Sequence, residues 1–268
     1  MKRAPPAPAE ADHDTPDARK EVYRRLLTPI NAVLPEEPKW ILPGLIPEGL
    51  TLIVAGPKVG KTHFFQHCVL AITQRIALFP ESSGVKPPLK PKRVVLLSGE
   101  QSPGRLRVHY EGRVMRRKFR KGETDWNYCV SSDPGFSLDA PSDEDHSLIK
   151  LVENWEPDLL AIDPLALFHG QDENSPILTR DYILPLARTC RAKRCGLVIV
   201  HHLRKEAPVT TPGKSPWDSI RGHSALFGAC DGAIYLTRGG QGKSGSGAIS
   251  VSGVWKDAEE RSWTWRPE

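Results

Sequence analysis

Apolar residues along this chain fall into two patterns: short continuous runs, and longer stretches repeating every three to four positions. The runs are TLIVA (51–55), RVVLL (93–97), WNYCV (126–130), DLLAI (158–162), GLVIV (196–200), GAIYL (232–236), AISVSGVW (248–255) and RSWTW (261–265). A run without polar alternation suits a strand buried on both faces, and the helical stretches between runs supply the cover. The pattern predicts an α/β fold with a mainly parallel, twisted sheet flanked by helices. The last two runs alternate, and the glycine-rich TRGGQGKSGSGA (237–248) precedes them, so antiparallel hairpin strands are expected at the C-terminal end. In RKEVYRRLLTPI, Val22, Leu26, Leu27 and Ile30 recur at helical spacing. They predict a short helix over 19–30 whose apolar stripe needs a groove, on its own domain or on a neighbouring subunit. Residues 1–18 are rich in Pro, Ala and charge, which predicts a flexible tail over 1–20 and one domain over 21–268. Segments 80–92 and 204–216, with the glycine-rich turn, are expected as mobile loops.

Composition narrows the class. A chain of 268 residues that is 39% apolar can bury one large core. Its 37 Lys and Arg against 32 Asp and Glu permit a polyanionic partner without requiring one. Cys68, Cys129, Cys190, Cys195 and Cys230 form no C-x-x-C pair, which argues against a disulfide framework or structural zinc. That usage fits a reducing cytoplasm. No apolar stretch reaches membrane-spanning length and no signal peptide is visible, so no membrane partner is expected.

Between TLIVA and the next helical stretch, Ala55 to Thr62 fit [AG]-x-x-x-x-G-K-[ST]. A strand-to-helix turn of this kind solvates a triphosphate. Backbone N–H groups of Gly56, Pro57's neighbours Lys58 and Val59, Gly60 and Lys61 form an anion nest, and the helix N-terminus, reaching Thr62 and His63, adds its dipole. Gly56 and Gly60 let the backbone approach closely. Lys61 can reach the β- and γ-phosphates, and the Thr62 hydroxyl can hold Mg²⁺. Phe65, Val69, Ile72 and Ile76 mark the buried face of the helix that follows.

Hydrolysis needs more than a cradle: a carboxylate to orient the metal, a group to position water, and charge for the transition state. Asp163 ends DLLAID, as a carboxylate reaching Mg²⁺ through water would. Glu100 ends VVLLSGE and is placed to polarise the attacking water. His201 and His202 end GLVIVHH, where a neutral polar group could sense the γ-phosphate. Ligands of open α/β sheets gather outside the carboxyl ends of the strands, so these groups are expected in one crevice.

Taken in order, AGPKVGKT, LLSGEQS, LLAIDPLALFHG, VIVHHLRK and SIRGHSALFGACDGAIYL resemble the RecA-like, AAA_25-like P-loop ATPases of the RepA hexameric replicative helicase family, from about residue 38 to about 255. The resemblance implies that Lys61 and Thr62 bind phosphate and Mg²⁺, and that Glu100 is the catalytic base. It makes Asp163 the Walker B residue, His202 the γ-phosphate sensor, and Arg221 an arginine finger reaching a neighbouring subunit's nucleotide. It further implies a homo-oligomer, a hexameric ring with ATP between protomers and single-stranded DNA in the channel. Arg204, Lys205 and Lys214, on the loop after His202, are the candidate strand contacts. The segment RVMRRKFRK (113–121), read as a helix, carries charge all round its axis and is expected as a solvated or partner-facing surface. Two other classes remain open at this stage. One is a nucleotide-gated assembly, recombination or regulatory ATPase that does not unwind. The other is a small-molecule kinase, against which the His-His pair and the R-G-x-S-A-L segment argue.

Overall fold

A computed structural model describes residues 16–34, 37–115, 118–120, 125–140, 144, 147–173, 175–202, 224–238 and 247–266. The chain divides into two units, Met1–Glu37 and Pro38–Glu268. In the first, α1 (Pro16–Leu26) is followed by a 3₁₀ turn at Ile30–Ala32. The helix expected over 19–30 therefore stops early. Pro29 drives the residue before it away from helical backbone, and the last helical bond runs from Leu27 N–H to the Tyr23 carbonyl at 2.8 Å. Val22, Leu26, Leu27 and Ile30 are all exposed.

In the second unit, β1 (Trp40–Leu42) and β2 (Ile46–Pro47) form a small antiparallel hairpin. The main sheet is built from β3 (Gly49–Ala55), β4 (Val94–Ser98), β5 (Tyr128–Ser131), β6 (Leu159–Asp163), β7 (Gly196–His202), β8 (Gly232–Arg238), β9 (Ile249–Trp255) and β10 (Ala258–Trp265). Their spatial order is β10-β9-β8-β3-β7-β6-β4-β5. Strands β3 to β8 pair in parallel, whereas β8–β9 and β9–β10 are antiparallel, so the expected C-terminal hairpins are present.

Strand alternation splits the core into two layers. On one face Ile53, Ala55, Leu96, Ala161 and Val200 pack under α2 (Lys61–Gln74) and α3 (Pro103–His109). On the other, Leu52, Val54, Leu97, Ile162 and Ile199 pack under α4 (Leu148–Trp155), α5 (Leu184–Ala192) and the short α6 (Ser224–Ala229). Cover on both faces is why the inner strands read as unbroken apolar runs.

Local details depart from the sequence pattern. Phe65, Val69 and Ile72 are buried, but Ile76 is 50% exposed, because Arg75 turns left-handed at φ 59° and ends α2 at Gln74. The helical stretch after α3 is a π turn, Tyr110–Met115, and Lys118–Arg120 are irregular, so 113–121 is not one helix. Residues 80–92 are tied down. Val85 is buried, Lys86 N–H reaches the Pro43 carbonyl at 3.0 Å, and the Trp263 indole donates to the Ser83 carbonyl at 3.0 Å.

Candidate active site

β3 stops at Ala55, and the chain turns through Gly56, Pro57, Lys58, Val59 and Gly60 into α2. Gly60 has φ 113°, a conformation that L side chains rarely adopt, and Lys58 also turns left-handed at φ 59°. No side chain caps the first N–H groups of α2 and its first turn holds no acid, so the helix presents donors and positive dipole to an incoming anion. Gly56 is less constrained, since a Cβ there would meet only Val59 at an ordinary 3.7 Å.

Lys61 is buried at 8% exposure, and its ammonium donates to the carbonyls of Ala55 at 3.1 Å and Gly56 at 3.3 Å. Burial pulls its pKa below the ordinary value, opposed by the charges of Asp163 and Glu100. The ammonium also lies 3.2 Å from His202 Nδ1. An ammonium can only donate, so Nδ1 accepts and the ring proton stands on Nε2. That Nε2 faces Glu100 Oε1 at 3.9 Å. His202 thus stands between the phosphate-loop lysine and the glutamate. Adjacent His201 lies on the opposite side of β7 and is 1% exposed, so the structure separates the pair.

The Thr62 hydroxyl donates to Asp163 Oδ2 at 2.7 Å. Burial pushes the Asp163 carboxyl up from 3.8 to about 6; the Thr62 bond pulls it down, Glu100 pushes it up, and Lys61 pulls it down. A hydroxyl and a carboxylate are hard oxygen donors suited to Mg²⁺, and these two already touch. β4 and β6 pair Ser98 with Asp163, and Gly99 N–H donates to the Asp163 carbonyl at 3.0 Å. A Cβ on Gly99 would come within 2.7 Å of Leu167, so glycine there lets the turn after β6 close against β4 and seats Glu100 beside the carboxylate.

The crevice therefore brings together Lys61, Thr62, Glu100, Asp163 and His202. The side chain of His63 turns instead toward His67 and the Trp265 ring. Arg204, Lys205, Lys214 and Arg221 lie outside the described residues. One contact was missed from sequence: Arg238 Nη2 donates to the Lys58 carbonyl at 2.7 Å, gripping the loop from the end of β8. The signal was available, since β8 runs parallel beside β3 with Leu236 opposite Ala55, which carries Arg238 past the strand end toward the loop.

Comparison with known proteins agrees with this geometry. Residues 19–208 match the AAA_25 family, described as an AAA domain. The chain belongs to that family. Among solved structures, the ATPase domain of a helicase aligns with a TM-score of 0.55 at 15% identity, over 81% of this chain and 80% of that one. The KaiC-like protein PH0186 from the hyperthermophilic archaeon Pyrococcus horikoshii OT3 aligns with a TM-score of 0.52 at 18% identity, over 87% of this chain and 95% of that one. At such identities the likeness establishes the fold, which is RecA-like. A search of curated proteins returns no match. Among the described residues no helix is long and apolar enough to cross a membrane.

The raised pKa of Asp163 makes a stability prediction. The folded chain takes up this proton more readily than the unfolded chain, so the carboxylate is harmless below about pH 4. Its cost appears as pH rises through about 6. Asp163→Asn keeps an acceptor for Thr62 and removes the buried charge. The variant should be more stable than the parent by on the order of 1–3 kcal/mol at pH 7.5 and nearly equal at pH 5. Thermal melts of the nucleotide-free proteins check this, and an equal difference at both pH values would refute it.

Proposed function

We propose that this chain is an ATP-hydrolysing, RecA-like motor, a ring-forming replicative helicase or translocase acting on single-stranded DNA. The observation that carries the hydrolytic part is the convergence of Lys61, Thr62, Glu100, Asp163 and His202 at the carboxyl ends of adjacent strands. Lys61 leaves the Ala55 and Gly56 carbonyls for the β- and γ-phosphates of ATP. Thr62 and Asp163 hold Mg²⁺, which when bound neutralises phosphate charge and polarises the transferring group. Glu100 accepts the proton of the attacking water. His202, between Lys61 and Glu100, senses the γ-phosphate and passes its loss to the loop that β7 feeds.

Support for the ring and the strand comes from the resemblance to the RepA-type family, including the SIRGHSAL segment, and from the fold shared with the helicase ATPase domain. In such a ring Arg221 completes a neighbour's site, Arg204, Lys205 and Lys214 grip the strand backbone in the channel, and the stripe of α1 packs on a neighbouring subunit. All five cysteines are free thiols, in keeping with a cytoplasmic protein.

Glu100→Gln keeps shape and polarity without the base. It should bind ATP normally and hydrolyse it about 10²–10⁴-fold more slowly. Wild-type turnover in this variant would move the water-positioning role elsewhere.

Mixing Arg221→Ala with Lys61→Ala subunits tests action in trans. Some interfaces would pair an intact phosphate loop with an intact arginine, so part of the activity should return. No rescue in confirmed mixed assemblies would leave Arg221 acting in cis or structurally.

Single-stranded DNA should stimulate the ATPase. The triple alanine variant of Arg204, Lys205 and Lys214 should keep basal activity but lose most of that stimulation. Each lost phosphate contact should also remove about 0.7 from the log–log salt slope of binding. If wild type is not stimulated and changes oligomeric form with ATP instead, the chain is a nucleotide-gated assembly ATPase. Undiminished stimulation in the triple variant would place the strand elsewhere on the chain.

A further inference from the structure

On the flank of α2, His63 and His67 stand one helical turn apart and so share a face. Their Nε2 atoms are 3.1 Å apart and the ring centroids 4.8 Å apart. Without an ion, one Nε2–H donates to the other Nε2. The same geometry fits a shared cation. Two imidazole nitrogens each about 2.0–2.1 Å from one ion, at tetrahedral or right angles, are about 2.9–3.4 Å apart. Both rings are half-buried, so solvent reaches them, and Trp265 stands beside both at 5.3 Å between centroids.

We propose that His63 and His67 chelate a divalent transition-metal ion, separate from the Mg²⁺ expected at Thr62 and Asp163. Imidazole nitrogen selects Zn²⁺, Ni²⁺ or Cu²⁺, whereas the hydroxyl and carboxylate of the crevice select a hard cation. Neighbouring His109 turns its Nδ1 to the Gln66 side-chain oxygen. No group of three or more His, Cys, Asp or Glu side chains that could hold a metal gathers among the described residues, so the site is two imidazoles completed by water. On binding, the donor ring moves its proton from Nε2 to Nδ1. Both Nε2 lone pairs then face the ion, and no proton leaves a neutral pair. The ion staples the first two turns of the helix that carries Lys61 and Thr62.

The test is titration of the tag-free full chain, without nucleotide, with Ni²⁺ by calorimetry and with Cu²⁺ by electron paramagnetic resonance. The expected result is one saturable site, Cu²⁺ tighter than Ni²⁺, with two imidazole nitrogens on the copper. His67→Gln should bind roughly tenfold or more weakly and show one nitrogen, since losing one arm removes the intramolecular advantage of the second. His63→Gln takes away the other arm and should give the same loss, with circular dichroism confirming that each variant is folded. Absence of saturable binding, a single nitrogen in wild type, or unchanged affinity in folded His67→Gln overturns the proposal.

Discussion

Backbone pairing between parallel strands fixes the crevice. β3 and β7 pair Ala55 with His202, and β4 and β6 pair Ser98 with Asp163, so the strands stop at a common level. From that level Thr62 reaches Asp163 at 2.7 Å, Lys61 reaches His202 at 3.2 Å, and His202 faces Glu100 at 3.9 Å. A slip of one residue in β6 or β7 would turn Asp163 or His202 to the opposite face of the sheet. The slip is resisted by apolar side chains far from the chemistry, because Ile162 and Ile199 on one face and Ala161 and Val200 on the other would all have to exchange layers. The core thus positions the charges.

Those charges carry a cost that the fold tolerates. Lys61 and Asp163 are both removed from water, and burial weakens the charged form of each. Lys61 is held by two carbonyls of its own loop and Asp163 by the Thr62 hydroxyl, so the ligand-free crevice satisfies itself. The loop backbone is already set by the left-handed turns at Lys58 and Gly60 and by the grip of Arg238 on the Lys58 carbonyl. Little ordering is left to be done when a phosphate arrives, which favours affinity.

The phosphate loop was legible from sequence because its requirement is local: a strand, a glycine that can take a left-handed turn, then Lys and Thr on the first turn of a helix. The inner strands were legible because cover on both faces leaves no polar alternation. Features set by tertiary contact were not. β1 and β2 are too short to show a period. The end of α2 depends on the backbone of Arg75, an ordinary residue in sequence. Segment 80–92 looks loose by its prolines and glycine, yet Val85 and the Trp263 contact anchor it to strands far away in the chain. The partnership of His63 with His67 follows from helical spacing, but its convergence at 3.1 Å depends on rotamers packed beside Trp265.

One helix therefore serves two kinds of chemistry. The first residues of α2 hold the phosphate-binding lysine and the hydroxyl bonded to Asp163, while the next turn turns its imidazoles away from the crevice toward Trp265 near the end of β10. β10 pairs with β9 and β9 with β8, whose last residue, Arg238, returns to the phosphate loop through Lys58. The loop is thus held from both ends, by α2 on its C-terminal side and by β8 across the strand edge. Any group that stiffens the start of α2 acts on the same backbone that Arg238 grips. Residues next to the crevice can in this way bear on nucleotide binding without touching the nucleotide.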